Sequence, residues 1–277
     1  MRPKFFTTLF IYTIFFFALA SSFPTKLLGQ NNLKEYTVGE TLISDARTVL
    51  SDGKAIVLSP LHFSDNEWIT TGAVIGGTIL LMTTDENARN LALRNQSNFN
   101  DAVSQVGNAY GNALYIAPIT VTIYMGGLLL KNEEVRETGL HLVEALGFAG
   151  AATSIGKILL GRSRPYTEDG PHKFRPITTA TEYTSLPSGH STVAFAVSSV
   201  LSEKIKNPYA TVGLYSLASI TALSRVYNDQ HWLSDTFLGA VVGTFMGVTV
   251  SHLHEHSSDQ SVSIYPLPYG LRAEITF

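Results

Sequence analysis

Residues 187–205 read PSGHSTVAFAVSSVLSEKI, a tight turn with a histidine followed at once by an apolar segment of about four helical turns. Such segments recur along the chain, and each is long and regular enough to be a helix. They cover residues 68–84, 111–130, 138–160, 191–205, 209–223 and 232–251. The sequence therefore predicts an all-α fold, a bundle of about six helices.

The composition excludes several classes of protein. With 277 residues, 45% of them hydrophobic and 15% charged, the chain has enough apolar surface to fold and is not disordered. Its net charge of -3 offers no basic surface for nucleic acid, so we expect no nucleic-acid partner. It has no cysteine, which excludes disulfides, thiolate metal sites and a cysteine nucleophile.

The chain divides into four predicted regions. Residues 1–20 combine Arg2 and Lys4 with an uncharged run that ends in small residues, as in a signal peptide for export. Residues 21–66 form a polar region, which we interpret as loops with short helices because of turn signals such as Ser51-Asp52-Gly53. Residues 67–256 form the bundle, with the polar stretch 85–107 on a surface. Residues 257–277 are a tail that alternates like a small β-hairpin.

Three polar blocks lie at the ends of apolar helices, and up-and-down packing brings them to one end of the bundle. Lys157, Arg164 and Arg225 would bring three positive charges together there. The backbone N–H groups of residues 188–190 open a helix, which is a ready anion site. Gly189 would let an anion approach the backbone, and Ser188 would add a hydroxyl donor and cap the helix. The ligand that fits this pattern is a phosphoryl group.

Two histidines in these blocks supply the groups for phosphoryl transfer. His231 and Asp235 are four residues apart on one helical face, so the carboxylate can accept the Nδ1 hydrogen and leave Nε2 as a nucleophile. His190 can then protonate the leaving group as a general acid.

The blocks 157–165, 187–190 and 224–235 resemble the type 2 phosphatidic acid phosphatase superfamily. This family includes bacterial acid phosphatases, lipid phosphate phosphatases and vanadium haloperoxidases. The resemblance implies that His231 forms a phosphohistidine, that His190 protonates the leaving oxygen and that Asp235 orients the nucleophile. It also implies that the phosphate is held by Lys157, Arg164, Ser188, Gly189 and Arg225, and that the phosphatase reaction uses no metal or other cofactor.

The resulting hypothesis is a phosphoric monoester hydrolase acting on a phosphorylated lipid or a small phosphomonoester or diphosphate. Two alternatives remain at this point: a vanadium-dependent haloperoxidase, in which the same residues would hold vanadate, and a non-catalytic phosphate-binding or scaffold protein. The sequence is silent on the oligomeric state.

Three further expectations concern location and peripheral segments. The apolar runs are marginal in length for membrane spans, and we favour an exported periplasmic protein over an integral membrane enzyme, with the active site outside the cytoplasm in either case. Residues 166–186 form a long loop that we interpret as a substrate-selecting lid. His252, His254 and His256 could bind metal, but a solvated tail is favoured for them.

Overall fold

The structure, a computed structural model, describes residues 37–259, 261–267 and 270–276, with side chains up to residue 254. Within these ranges the chain forms nine α-helices and one two-stranded antiparallel sheet, joined by three short 3-10 helices at Ser59–His62, Pro165–Thr167 and Thr181–Tyr183. The helices and strands are α1 Val38–Leu58, α2 Asp65–Met82, α3 Asp85–Arg94, α4 Asn98–Tyr110, α5 Ala113–Leu129, α6 Glu133–Leu160, α7 Gly189–Ile205, α8 Pro208–Tyr227, α9 Leu233–Asp259, β1 Ser261–Leu267 and β2 Gly270–Thr276.

The all-α prediction is confirmed, and each of the six predicted segments corresponds to one helix. The structure adds α1, α3 and α4 to them. It also starts α6 at Glu133 rather than at residue 138, because Asn132 caps the helix by accepting a bond from Val135 N at 3.0 Å. The helix ends at Gly161, whose φ of 61° is the left-handed conformation that glycine adopts without strain. The predicted hairpin is present as β1 and β2. The predicted signal peptide lies outside the described residues.

In the described part of the region 21–66, residues 37–66, the structure differs from the prediction, because α1 is a continuous helix of 21 residues. Ser51-Asp52-Gly53 does not form a turn but lies inside this helix. Gly53 is packed against α6: a Cβ at this position would lie 3.1 Å from Cε1 of Phe148. Gly53 thus allows α1 and α6 to pack closely. From the sequence alone, a glycine in this context is interpreted as a turn signal.

The centre of the bundle is the contact between α7 and α9, which depends on small residues. Gly239, Gly243 and Gly247 recur every four residues and form one face of α9. A Cβ at Gly243 would lie 2.3 Å from the carbonyl oxygen of Thr192, and one at Gly247 would lie 2.7 Å from that of Ala196. The two backbones are therefore in direct contact, which fixes the start of α7 beside the start of α9.

The stretch 85–107 is less superficial than predicted. Asp85, at the start of α3, is fully buried, and Ser104 and Gly107 of α4 are buried against α8. The predicted lid, residues 166–186, is fixed to the end of α6 by backbone hydrogen bonds, among them Arg175 N to Gly161 O at 2.7 Å and Ser185 N to Arg162 O at 3.0 Å. Its role as a substrate-selecting lid stays a prediction.

Two helices, Glu133–Leu160 and Leu233–His254, are long and apolar enough to cross a membrane. The pair Asn98–Tyr110 and Ala113–Leu129 passes the same test as one span bent by 47°. These helices favour a membrane-associated protein over the soluble form that we expected. The lengths of the uncharged stretches underestimate the lengths of the spans. Such a count stops at Glu144 of α6, although His141 and Glu144 lie on the buried side of this helix.

The α7–α9 contact makes a testable prediction about stability. Replacing Gly243 by Ala forces a methyl group into the backbone of α7, so we expect Gly243→Ala to destabilise the fold by about 1–3 kcal/mol. The readout is the midpoint of thermal unfolding in detergent. Gly147→Ala on α6 is the matched control, because nothing lies within 4 Å of its Cβ position. Equal midpoints for the two variants would contradict the packing described.

Candidate active site

The ends of four helices and one loop bring the predicted residues together. Lys157 lies in the last turn of α6, Arg225 near the end of α8, and His190 in the first turn of α7. Arg164 comes from the loop after α6, and His231 lies two residues before the start of α9. The arrangement at one end of the bundle is therefore the predicted one, with all three cations acting electrostatically on His190.

His231 is held in one orientation and one tautomer. Its Nδ1 lies 2.8 Å from the main-chain carbonyl oxygen of Ser185. A carbonyl can only accept, so Nδ1 carries the hydrogen and Nε2 keeps its lone pair. Nε2 lies 3.4 Å from Nη1 of Arg164, on the side of the cations. This is the geometry of a nitrogen nucleophile that faces an anion site.

Asp235 does not hold His231 in the predicted way. Its Oδ2 is 3.7 Å from Nδ1, too far for a hydrogen bond, and the nearer acceptor is the Ser185 carbonyl. Oδ2 instead accepts from the Ser185 hydroxyl and, at 2.9 Å, from Trp232 N. Asp235 thus fixes Ser185, and Ser185 fixes the histidine. Because every residue has a main-chain carbonyl, the sequence does not show which of them accepts a hydrogen bond from His231.

Arg162, which the sequence analysis did not single out, anchors this network. Its guanidinium is completely buried and forms ion pairs with Asp235 at 2.6 Å and with Asp85 at 2.7 Å. The remaining donors bind Ser234 Oγ at 2.7 Å and the carbonyl of Pro171 at 2.8 Å. Arg162 lies two residues before Arg164 and looks equivalent to it in sequence. Only the tertiary structure distinguishes the structural arginine from the one that faces the pocket.

The three cations of the pocket are each anchored by protein acceptors. Lys157 donates to the carbonyl of Thr184, and Arg164 donates to the carbonyls of Thr181 at 2.9 Å and Gln230 at 3.0 Å. Arg225 donates from Nη1 to Oδ1 of Asn108 at 2.6 Å. Asn108 is a further site residue that sequence reasoning missed, because it lies in the polar stretch 85–107. The Nε of Arg225 is buried and has no hydrogen-bond partner among the described residues.

The start of α7 differs in detail from its prediction. Ser188 is fully buried, its side chain makes no cap hydrogen bond, and its N–H donates to the main-chain oxygen of Asp235 at 2.9 Å. This N–H is therefore not available to an anion. Gly189 faces the pocket, since a Cβ there would lie 3.9 Å from Cε of Lys157. A serine before a helix can cap it and bind an anion, or it can be buried without doing either. Both cases have the same sequence pattern, so the sequence alone does not distinguish them.

Burial and mutual repulsion shape the electrostatics of the pocket. Burial, reinforced by Arg225, Lys157 and Arg164, lowers the pKa of His190 to about 4. Burial also lowers the pKa of His231 to about 3, against the opposing influence of Asp235. The pKa of Arg225 falls to about 10 through burial and through Arg164. Both histidines are neutral at neutral pH, and the crowded cations favour an anionic ligand.

Comparison with known proteins identifies the fold. The family model of the PAP2 superfamily matches residues 138–259. A lipid A 1-phosphatase of Porphyromonas gingivalis is 30% identical over 178 residues, which are 63% of this chain and 36% of that protein. A lipid A 1-phosphatase of Rhizobium etli is 25% identical over 158 residues, covering 51% of this chain and 67% of that protein. The chain thus spans about a third of the length of the first relative.

Among solved structures, a transmembrane PAP2-type phosphatidylglycerolphosphate phosphatase from Bacillus subtilis has a TM-score of 0.52. The two chains are 20% identical, and the match covers 66% of this chain and 95% of that one, which is a likeness of fold. The residues from Lys157 to Asp235 all lie inside the range that the family model matches. The resemblance found in the sequence is confirmed: the PAP2 superfamily model matches residues 138–259, which contain the three blocks that carry it.

Proposed function

We propose that this protein is a phosphatase that hydrolyses a phosphate monoester of a membrane lipid through a phosphohistidine on His231. The observation that carries the proposal is the Nε2 atom of His231, which keeps its lone pair because Nδ1 donates to the Ser185 carbonyl at 2.8 Å. This atom faces a buried group of three cations. The haloperoxidase and scaffold alternatives are not favoured by the relatives that the chain matches.

In the first step the phosphate is bound by Lys157, Arg164 and Arg225, whose charges offset its own. Nε2 of His231 attacks phosphorus and forms a P–N bond while the bond to the lipid oxygen breaks. The departing oxygen takes a proton from the ring of His190. The positive charge that develops on His231 is stabilised by Asp235, acting through the hydroxyl of Ser185.

In the second step water attacks the phosphorus of the phosphohistidine. His190, now neutral, takes a proton from that water, the P–N bond breaks, and phosphate leaves with His231 restored. Within this scheme the protein's own cations supply the charge stabilisation that metal ions supply in other phosphatases. Arg162 is a positioning residue here, since it touches Asp235 and not the substrate.

The position of the site supports a lipid substrate. The pocket lies at the end of α6 and the start of α9, the two helices that are long and apolar enough to span a bilayer. A lipid phosphate bound at this end would lie at the membrane–water interface, where lipid headgroups are. The acyl chains of that lipid would then lie along the helices. The relatives named as lipid A 1-phosphatases support a phosphorylated glycolipid as the substrate class.

We further propose that the pocket opens on the extracytoplasmic side, as the export-type pattern of residues 1–20 favours. Glu168 and Gly170, in the loop 166–186, line a cavity of about 260 Å³ together with Arg89 and Trp232. This cavity is suited to a polar headgroup.

The nucleophile is tested by His231→Ala. We expect kcat to fall by about 10⁴-fold or more while inorganic phosphate still binds, because the three cations remain. Phosphate release from lipid A and phosphatidate in detergent gives the rate, and equilibrium dialysis with radioactive phosphate gives the binding. His252→Ala, on the exposed surface of α9, is the control and should retain full activity. Turnover near the wild-type rate in His231→Ala would exclude the mechanism.

The acid–base roles are tested by pH profiles. The reaction needs neutral His231 and protonated His190, so kcat/KM should be bell-shaped, with limbs set by the pKa values of about 3 and about 4 in the free enzyme. A bound phosphate offsets the three cations and raises the pKa of His190. The basic limb of kcat should therefore lie at least about one pH unit above that of kcat/KM. A monotonic profile, or basic limbs that coincide, would contradict the assignment.

The side of the membrane is tested with single cysteines, since the chain has none of its own. His172→Cys is exposed in the loop beside the pocket, and Glu134→Cys is exposed at the other end of α6, about 40 Å away along the helix. We expect a membrane-impermeant maleimide to label His172→Cys in intact cells and Glu134→Cys only after permeabilisation. The reverse pattern would place the pocket in the cytoplasm.

A further inference from the structure

A second group of ionisable side chains lies far from the pocket, between α1, α6 and α9. Nε2 of His254 is 2.9 Å from Oε2 of Glu144 and 3.2 Å from Oδ2 of Asp52. The side chain of Glu144 is fully buried, and those of Asp52 and His254 are only 13% exposed. His254 therefore belongs to α9 and to the interior, which corrects the prediction of a solvated tail; His252 is exposed, and the side chain of His256 is not described.

This group has more acceptor atoms than the described residues satisfy. Oε1 of Glu144 and Oδ2 of Asp52 are buried without a hydrogen-bond partner among the described residues. A ring nitrogen carries one hydrogen at most, so Nε2 cannot serve both carboxylates. Among the described residues, neither carboxylate forms an ion pair with a lysine or an arginine. Two buried carboxylates that share a single imidazole nitrogen are costly unless a further positive charge joins them.

His141 is an independent sign that a ligand belongs here. It is only 2% exposed, and neither ring nitrogen has a hydrogen-bond partner among the described residues. Its ring lies against that of His254, with the centroids 4.0 Å apart. His141 and Glu144 are three residues apart on one face of α6, so both are presented to the same space. A buried imidazole whose two nitrogens have no partner among the residues described here is available as a ligand.

We propose that Asp52, Glu144 and His254, with His141 beside them, form a structural site for one divalent cation, for which zinc is the best match. The ligand atoms of the first three residues all lie within 4.8 Å of one another. Tetrahedral zinc with bonds of about 2.0–2.2 Å holds its ligands about 3.4 Å apart, so small side-chain movements suffice. Imidazole and carboxylate donors suit zinc, whereas calcium and magnesium take oxygen ligands.

The site would attach α1 to the bundle. The outward side chains of α1 include apolar ones, with Leu50 and Val57 each 75% exposed, while polar side chains make several of its inward contacts. Asp45 binds Arg136 and the hydroxyl of Tyr124, and Asp52 lies two turns further along the same helix. A cation shared by Asp52, Glu144 and His254 would therefore link α1 to α6 and α9 at a second point.

The site is too far from the phosphate pocket to take part in catalysis. Along α6, Glu144 is about 20 Å from Lys157, and along α9, His254 is about 29 Å from Asp235. The inference is thus independent of the proposed phosphatase, which needs no metal.

The test is a zinc titration of untagged, EDTA-stripped protein in detergent, with bound metal counted by mass spectrometry after gel filtration. We expect about one zinc per chain, and an affinity at least about tenfold weaker in Glu144→Gln and His254→Ala. His252→Ala, two residues from His254 and exposed, should bind as the wild type does. No binding by wild-type protein above that of His254→Ala, or an equal loss in His252→Ala, would overturn the proposal.

A second readout uses the wild-type protein alone, so that it does not depend on whether a variant folds. Zinc should raise the unfolding midpoint of the stripped protein and slow trypsin cleavage at Arg47 and Lys54, which are exposed on α1 around Asp52. Phosphate release at 20 °C should be the same with and without zinc. Unchanged cleavage of α1 in saturating zinc would contradict a site that links this helix to the bundle.

Discussion

The guanidinium of Arg162 is fully buried, and it holds two carboxylates from different helices, Asp85 of α3 and Asp235 of α9. Removing one partner from such a group leaves an uncompensated buried charge, at a cost of about 3–5 kcal/mol. The ion pairs therefore fix the start of α9 against α3 and against the loop that carries Arg162. Through Asp235 the same interaction fixes Ser185, and the Ser185 carbonyl then orients His231.

This arrangement separates the charge that holds the structure from the charges that line the pocket. Arg162 is paired with two carboxylates, whereas Lys157, Arg164 and Arg225 are anchored mainly by neutral oxygens. Burial, together with their repulsion, lowers the pKa of His190, and a bound phosphate would offset the repulsion. In the proposed mechanism, His190 would therefore become protonated more easily once a phosphate is bound. Its location at the ends of two apolar helices suits a phosphate carried by a lipid.

Much of the fold and most of the site could be predicted from the sequence, for identifiable reasons. Six helices follow from apolar runs, and the residues of the pocket follow from charged and turn residues at helix ends. The partners of these residues could not be predicted. Asp85 lies in a polar stretch that looks superficial, the acceptor for His231 is a main-chain carbonyl, and Gly53 serves helix packing although it resembles a turn. Each depends on a contact between distant segments, which residue type and spacing do not encode.

The central claim is that phosphate passes through a covalent bond to Nε2 of His231. The most direct measurement is to mix His190→Ala protein with 4-nitrophenyl phosphate, quench with base and locate the phosphoryl group by mass spectrometry. The nitrophenolate leaves without a general acid, whereas the loss of His190 slows hydrolysis of the intermediate. The account predicts an acid-labile, base-stable phosphoryl group on His231. Rapid nitrophenolate release with no phosphorylated histidine, or with the phosphoryl group on another residue, would contradict it.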